Sequence, residues 1–249
     1  MSTKTSFLGL LCIASLCSTN SYAQTNFSCE RNFPATLQVK SINECKETPA
    51  TIKKTNDLNI QLVNALFHDQ NLGATVLNLP GNKHKIVYRS ANLAGAPLCM
   101  KSLVEQRQVH TIVNLYSGKR GYNRELVALE KAVFNDVGGK EYIQIQDFFT
   151  THVEPSQIPA LNKQIAQIAK TIANSEGNVL VHCLVGEHDT GVIFGVLQKC
   201  YNKLPIKQVI NEMGCHLTQD ISPAYQRAAF NSVAKLIKEF PCELINEAN

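Results

Sequence analysis

The stretch "NVLVHCLVGEHDTGVIFGVLQKCY", residues 178 to 201, constrains this chain more than any other. A short β-branched run ends in His182-Cys183, a loop of small and polar residues follows, and then comes "TGVIFGVLQKCY", which is apolar on almost every helical face. A helix of that kind cannot lie on a surface, so the segment from Thr190 to Tyr201 is expected to be buried directly behind the strand that precedes it. Strand, tight loop and buried helix in that order belong to an α/β domain.

The rest of the chain agrees. "KIVYRS" (85 to 90), "HTIVNLYS" (110 to 117), "EYIQIQDFF" (141 to 149) and "NVLVHC" (178 to 183) read as strands, and "LNLPGNKHKIVY" as a hairpin turning at Pro80-Gly81-Asn82. Between them lie helical periods: Ile158, Leu161, Ile165, Ile168 and Ile172; Leu126, Leu129 and Val133; Phe230, Val233, Ile237 and Phe240. Pro155-Ser156 starts the first and Gly138-Gly139 stops the second. The expected fold is a mostly parallel central sheet flanked by helices.

Ahead of this domain the sequence changes character. Lys4, an apolar run from Phe7 to Cys17 and the small residues of Ser21-Tyr22-Ala23 predict a signal peptide over residues 1–23, cleaved after Ala23. The apolar run, about 11 residues, is too short to span a bilayer that needs roughly 20, and no later stretch comes close. The protein is expected to be exported, to a periplasm or beyond. Residues 24–74 read as a polar N-terminal arm holding Cys29 and Cys45, which a disulfide could close, and residues 75–249 as the folded domain. Without Cys12 and Cys17, seven of the nine cysteines remain, enough for three bridges and one free thiol if Cys183 is the odd one. Reduced core cysteines are the alternative. The net charge of +4 comes without a basic block or aromatic-interleaved patch, so nucleic acid is not indicated.

A strand running through a tight loop into a helix N-terminus turns backbone amides and a partial positive charge toward the loop's centre, which suits an anion. The same field is expected to lower the pKa of Cys183 and leave it a reactive thiolate near neutral pH. Gly186 allows close backbone approach, the Thr190 hydroxyl could donate to the sulfur, and His182 is better placed to brace the loop than to act on a substrate. Arg89 and Arg227 read as structural cations, Glu187 and His188 as solvent-facing loop residues, and His216 has no motif around it.

"HCLVGEHDTG" resembles the H-C-x5-R-[ST]-G signature of the cysteine-dependent protein tyrosine and dual-specificity phosphatases. "VYRSANLAGAPLCMKSLVEQRQVHTIVNLYS" is similar to the family's leading segment, and "YIQIQDFF" to the strand and loop that carry its general acid, so the resemblance runs from about residue 75 to the C-terminus. It implies a tyrosine-phosphatase-like fold and a phosphorylated small molecule or phosphoprotein as ligand, with no metal or other cofactor. It also implies Cys183 as a nucleophile forming a phosphocysteine, Thr190 assisting its departure, and Asp147 protonating the leaving oxygen. His152 and Glu154 are the fallback acids. Leu184, Val185, Gly186, Glu187, His188 and Asp189 would line the ligand.

One position departs from the signature: Asp189 stands where the family has arginine. That arginine's planar fork grips two phosphate oxygens. Losing one partner of a buried charged pair costs about 2 to 5 kcal/mol. At tenfold per ~1.4 kcal/mol, this predicts a loss of roughly two to four decades in rate before the new carboxylate's repulsion is counted. The leading expectation is a phosphatase-like domain whose activity is weak, altered or lost. Two alternatives are a working phosphomonoester hydrolase with a substitute cation (His188, Lys119 or Arg120) and a non-catalytic anion- or protein-binding scaffold. A metal at Glu187, His188 and Asp189 is disfavoured because three consecutive side chains converge poorly. Asp189 could instead simply cap a helix beginning at Thr190.

Overall fold

A computed structural model describes residues 43–46, 70–117, 124–217 and 224–246. The expected signal segment, most of the N-terminal arm, and Lys119 and Arg120 lie outside these residues.

Five strands form one sheet in the order β1-β2-β5-β3-β4. β1 (Gly73–Leu79) and β2 (Lys83–Ser90) make an antiparallel hairpin, while β2, β5 (Asn178–His182), β3 (Val109–Asn114) and β4 (Glu141–Gln144) run parallel. The hairpin closes at the expected Pro80-Gly81-Asn82, where Gly81 and Asn82 take the left-handed φ values of 74° and 58° that such a turn requires. β1 begins two residues ahead of the expected domain start. β3 and β4 stop short of their apolar runs because the chain leaves the ladder: the amide of Ile145 still reaches the Asn114 carbonyl, but that of Asp147 bonds the Ser117 carbonyl and the backbone turns through φ 52°.

The parallel crossovers are helical, as α/β connections must be. They are α1 (Pro97–Arg107), α2 (Arg124–Asp136) and α3 (Ile158–Asn174), the last entered through a 3-10 turn, Pro155–Gln157. Beyond β5 come α4 (His188–Cys200), α5 (Ile206–Gly214), α6 (Ala224–Glu239) and the short α7 (Glu243–Asn246).

Successive strand residues point to opposite faces, and the two cores divide accordingly. Val87, Val113, Val179 and Val181 pack with α3, α4 and α6, whereas Tyr88, Ile112 and Leu180 pack with α1 and Phe134 of α2. α4 is buried along nearly its whole length, as its all-round apolar sequence requires. Its start differs from expectation by two residues: His188, not Thr190, opens it, so Asp189 lies in the first turn and is not the cap. α2 also differs. Leu129 is exposed, and the buried positions are Leu126, Val127, Glu130 and Phe134.

Cys45 bonds Cys99 of α1, tying residues 43–46 to the domain rather than closing the arm on itself. Cys200 at the end of α4 bonds Cys242, Cys215 is also disulfide-bonded, and Cys183 is free and buried. Among the described residues no helix is long and apolar enough to cross a membrane.

Candidate functional site

β5 is the middle strand of the sheet, and its C-terminal end delivers Cys183 between the ends of β2 and β3, with Ser90 and Asn114 flanking His182. Ligands of open parallel sheets bind outside such strand ends. The loop from Cys183 to Glu187 is fixed there by its carbonyls, each of which has a donor. The imidazole Nδ1 of His182 donates to the Cys183 carbonyl at 2.9 Å and the Asn92 amide to that of Leu184 at 3.0 Å. Asn71 Nδ2 donates to Val185 at 3.0 Å, a guanidinium nitrogen of Arg89 to Gly186 at 2.6 Å, and the Gly191 amide to Glu187 at 2.8 Å.

Peptide planarity sets each following N–H opposite to its carbonyl, so the donors that hold the carbonyls also set the directions of the loop's amides. The Gly186 amide is one of these, donating to the Cys183 sulfur at 3.3 Å. Gly186 has φ 74°, and a β-carbon there would stand 2.5 Å from the Ser90 carbonyl oxygen. The approach of β2's end therefore requires the glycine.

Three of the residues that hold the loop carry little signal in the sequence. Asn71, buried ahead of β1, exchanges bonds with His216: its Nδ2 donates to the His216 carbonyl, and its Oδ1 lies 2.9 Å from the His216 ring nitrogen. Glu130, fully buried on α2, lies 3.0 Å from His182 Nε2 and accepts the Leu93 amide at 2.6 Å and the Tyr142 hydroxyl at 2.5 Å. Asn114 in turn donates to the Tyr142 oxygen at 2.9 Å. A carboxylate breaking an apolar helical face was the available clue to Glu130. Both ring nitrogens of His182 thus face acceptor oxygens, the arrangement an imidazolium satisfies. Burial pushes His182 toward neutrality, but the charge and hydrogen bond of Glu130 outweigh it and hold the ring above its ordinary pKa. His182 braces the loop, as expected, and Arg89 is structural, buried beneath the loop with its guanidinium 5.2 Å from the Phe194 ring centre.

Asp189 has one of its two carboxylate oxygens engaged. Its Oδ1 accepts two bonds from Thr150, the amide at 3.0 Å and the hydroxyl at 2.7 Å, and so pins the loop after β4 against the first turn of α4. Burial pushes this carboxyl up to about 6, against the pull of the two Thr150 bonds. The expected thiolate at Cys183 is overturned. Burial, then the charge of Asp189, push the thiol above its ordinary pKa, and the Thr190 hydroxyl and the Thr190 and Gly186 amides do not offset them.

The remaining predicted residues are placed as follows. Leu184 and Val185 are half-buried and pack against Ala91, and Thr190 is fully buried. Glu187 is buried, with 4% exposure, and His188 is half-buried, so neither is the solvent-facing residue expected of a loop. Burial and the neighbouring His152 lower the His188 pKa despite Glu187, which disfavours its charged form. Asp147 is exposed on the loop that Thr150 anchors. The Glu154 amide is engaged by Gln157 at the start of the 3-10 turn. No cluster of His, Cys, Asp and Glu suited to a metal occurs among the described residues.

No family model and no curated protein matches the chain. Among solved structures it is similar to the Siw14 catalytic core, at 18% identity over 71% of this chain and 88% of that one, with a TM-score of 0.45. It is also similar to TpbA of P. aeruginosa, at 16% identity over 64% and 84%, TM-score 0.44. A third likeness is to kinase associated phosphatase with its catalytic cysteine changed to serine, at 14% identity over 71% and 98%, TM-score 0.45. Scores below 0.5 at such identities carry no residue's role with them.

Proposed function

We propose that this chain is an exported protein with a cysteine-dependent phosphatase-like domain, whose loop from Cys183 to Asp189 is an anion pocket in which phosphatase turnover is weak, altered or lost. The signature resemblance and the Gly186 amide turned to the Cys183 sulfur support the pocket. The disulfides suit an oxidising compartment, which supports export. The observation that carries the loss of turnover is the carboxylate of Asp189, tied to Thr150 at the position where the signature has arginine. A negative charge there opposes a phosphate dianion and adds to the burial that holds the Cys183 thiol above its ordinary pKa, which disfavours the thiolate nucleophile. Whatever turnover remains would use Cys183 as nucleophile, Asp147 as acid and Thr190 in support of the departing sulfur, on a phosphorylated small molecule or phosphoprotein.

The test is hydrolysis of an aryl phosphate from pH 4 to 8 by the wild type and Cys183→Ser. Equal rates near neutral pH are expected. A neutral-pH rate that Cys183→Ser abolishes would make the loop an ordinary phosphatase site. Asp189→Arg is expected to improve phosphate binding, and no improvement at all would mean that position 189 does not stand where the signature arginine does.

A further inference from the structure

We propose that Asp189 is a proton-gated donor to the loop's ligand: Oδ2 takes up a proton as a tetrahedral oxyanion binds, and the neutral carboxyl then hydrogen-bonds that anion in place of the missing cation. The proposal rests on the anion-pocket reading above. Its basis is the asymmetry of the carboxylate. Both Thr150 donors converge on Oδ1, and among the described residues nothing bonds Oδ2. A proton on Oδ2 leaves Oδ1 a carbonyl-type acceptor, so the Thr150 clamp survives protonation and only the character of the second oxygen changes, from acceptor to donor.

The place of the carboxylate matters as much. The Asp189 carboxylate is near enough to Cys183 for its charge to act on the sulfur, which itself accepts the Gly186 amide inside the loop. The Thr190 hydroxyl beside it is fully buried and acts on the same sulfur. Burial holds the Asp189 carboxyl at about 6, so a modest preference of the ligand for the neutral form is enough to draw a proton from water.

Other groups titrate or carry charge nearby. The loop and first turn of α4 bring Cys183, Glu187 and His188, and the Thr150 segment brings His152, with Asp147 and Glu154 exposed on either side. Arg89 lies under the loop, and α6 meets the Thr150 segment through the Ser232 hydroxyl, which donates to the Thr150 carbonyl at 3.4 Å. Two of these groups are histidines, so the experiment must separate them from Asp189.

Calorimetric titration with sulfate, whose charge is constant over this range, does so. If only the protonated form binds, wild-type affinity is expected to be about 30-fold tighter at pH 5 than at pH 7.5, with close to one proton taken up per sulfate at the higher pH, counted in two buffers of different ionisation heat. Asp189→Asn keeps an oxygen for Thr150 and offers a fixed donor, so it should bind sulfate at pH 7.5 as tightly as the wild type does at pH 5, with no slope. A wild type that takes up no proton overturns the proposal without reference to any variant. So does a slope that persists in Asp189→Asn and vanishes in His152→Gln. Sulfate bound by neither protein at either pH overturns the anion pocket as well, whereas Cys183-dependent hydrolysis at neutral pH would contradict only the loss of turnover.

Discussion

A carboxylate with two donors on one oxygen and, among the described residues, none on the other is an uneasy occupant of a half-buried helix turn, and Asp189 should register as a cost to the fold. Its pKa is raised in the folded chain, so its contribution to stability is complete below the ordinary carboxylate value and is lost as pH rises through about 6. A rise from 3.8 to about 6 corresponds to roughly 3 kcal/mol at most. Asp189→Asn is therefore expected to unfold at higher urea than the wild type above pH 7, by about 1 to 3 kcal/mol, and to match it near pH 4. The same stability difference at both pH values would mean that the charge of Asp189 is not what separates the two proteins. The departure from the signature was legible in the sequence, but its structural consequence was not, because Thr150 is 39 residues away and no local pattern links the two.

Between elements, the brace from α2 to β5 fixes the cysteine loop from below. Glu130 and His182 are both fully buried, so Glu130→Gln leaves an imidazolium without its counter-charge. Such a loss costs about 3 to 5 kcal/mol. Because His182 is raised above 6.5, the pair's contribution is complete below that value and fades as pH climbs through the raised one. Denaturation of wild type and Glu130→Gln should differ most at mildly acidic pH and converge in alkali, and a difference that grows with pH would refute the pairing. The helical periods of α3 and α6 were readable because apolar residues repeat on one face. The register of α2 was not: Leu129 invited placement in the core, and Glu130 owes its burial to three polar partners from Leu93, Tyr142 and His182.

Across the whole molecule, the alternation of strand and helix foretold the parallel sheet, and the buried helix after Cys183 foretold where the loop would stand. The pairing of cysteines could not be read in advance, since Cys45 and Cys99 are 54 residues apart and Cys200 and Cys242 are 42 apart, and only the fold brings them together. The chain freed of residues 1–23 is expected to show a single thiol when denatured without reductant, and removal of either described bridge to cost about 2 to 5 kcal/mol. Two or more thiols would break the account of the cysteines. The central claim, that Asp189 and burial hold the loop in a form unlike a phosphatase's, is tested most directly by the rate of iodoacetamide alkylation of native Cys183 as pH is raised. The account predicts slow reaction until the pH passes the ordinary thiol range, about 8.5, and earlier onset in Asp189→Asn. A wild-type inflection well below neutral pH, the mark of a resident thiolate, would contradict it.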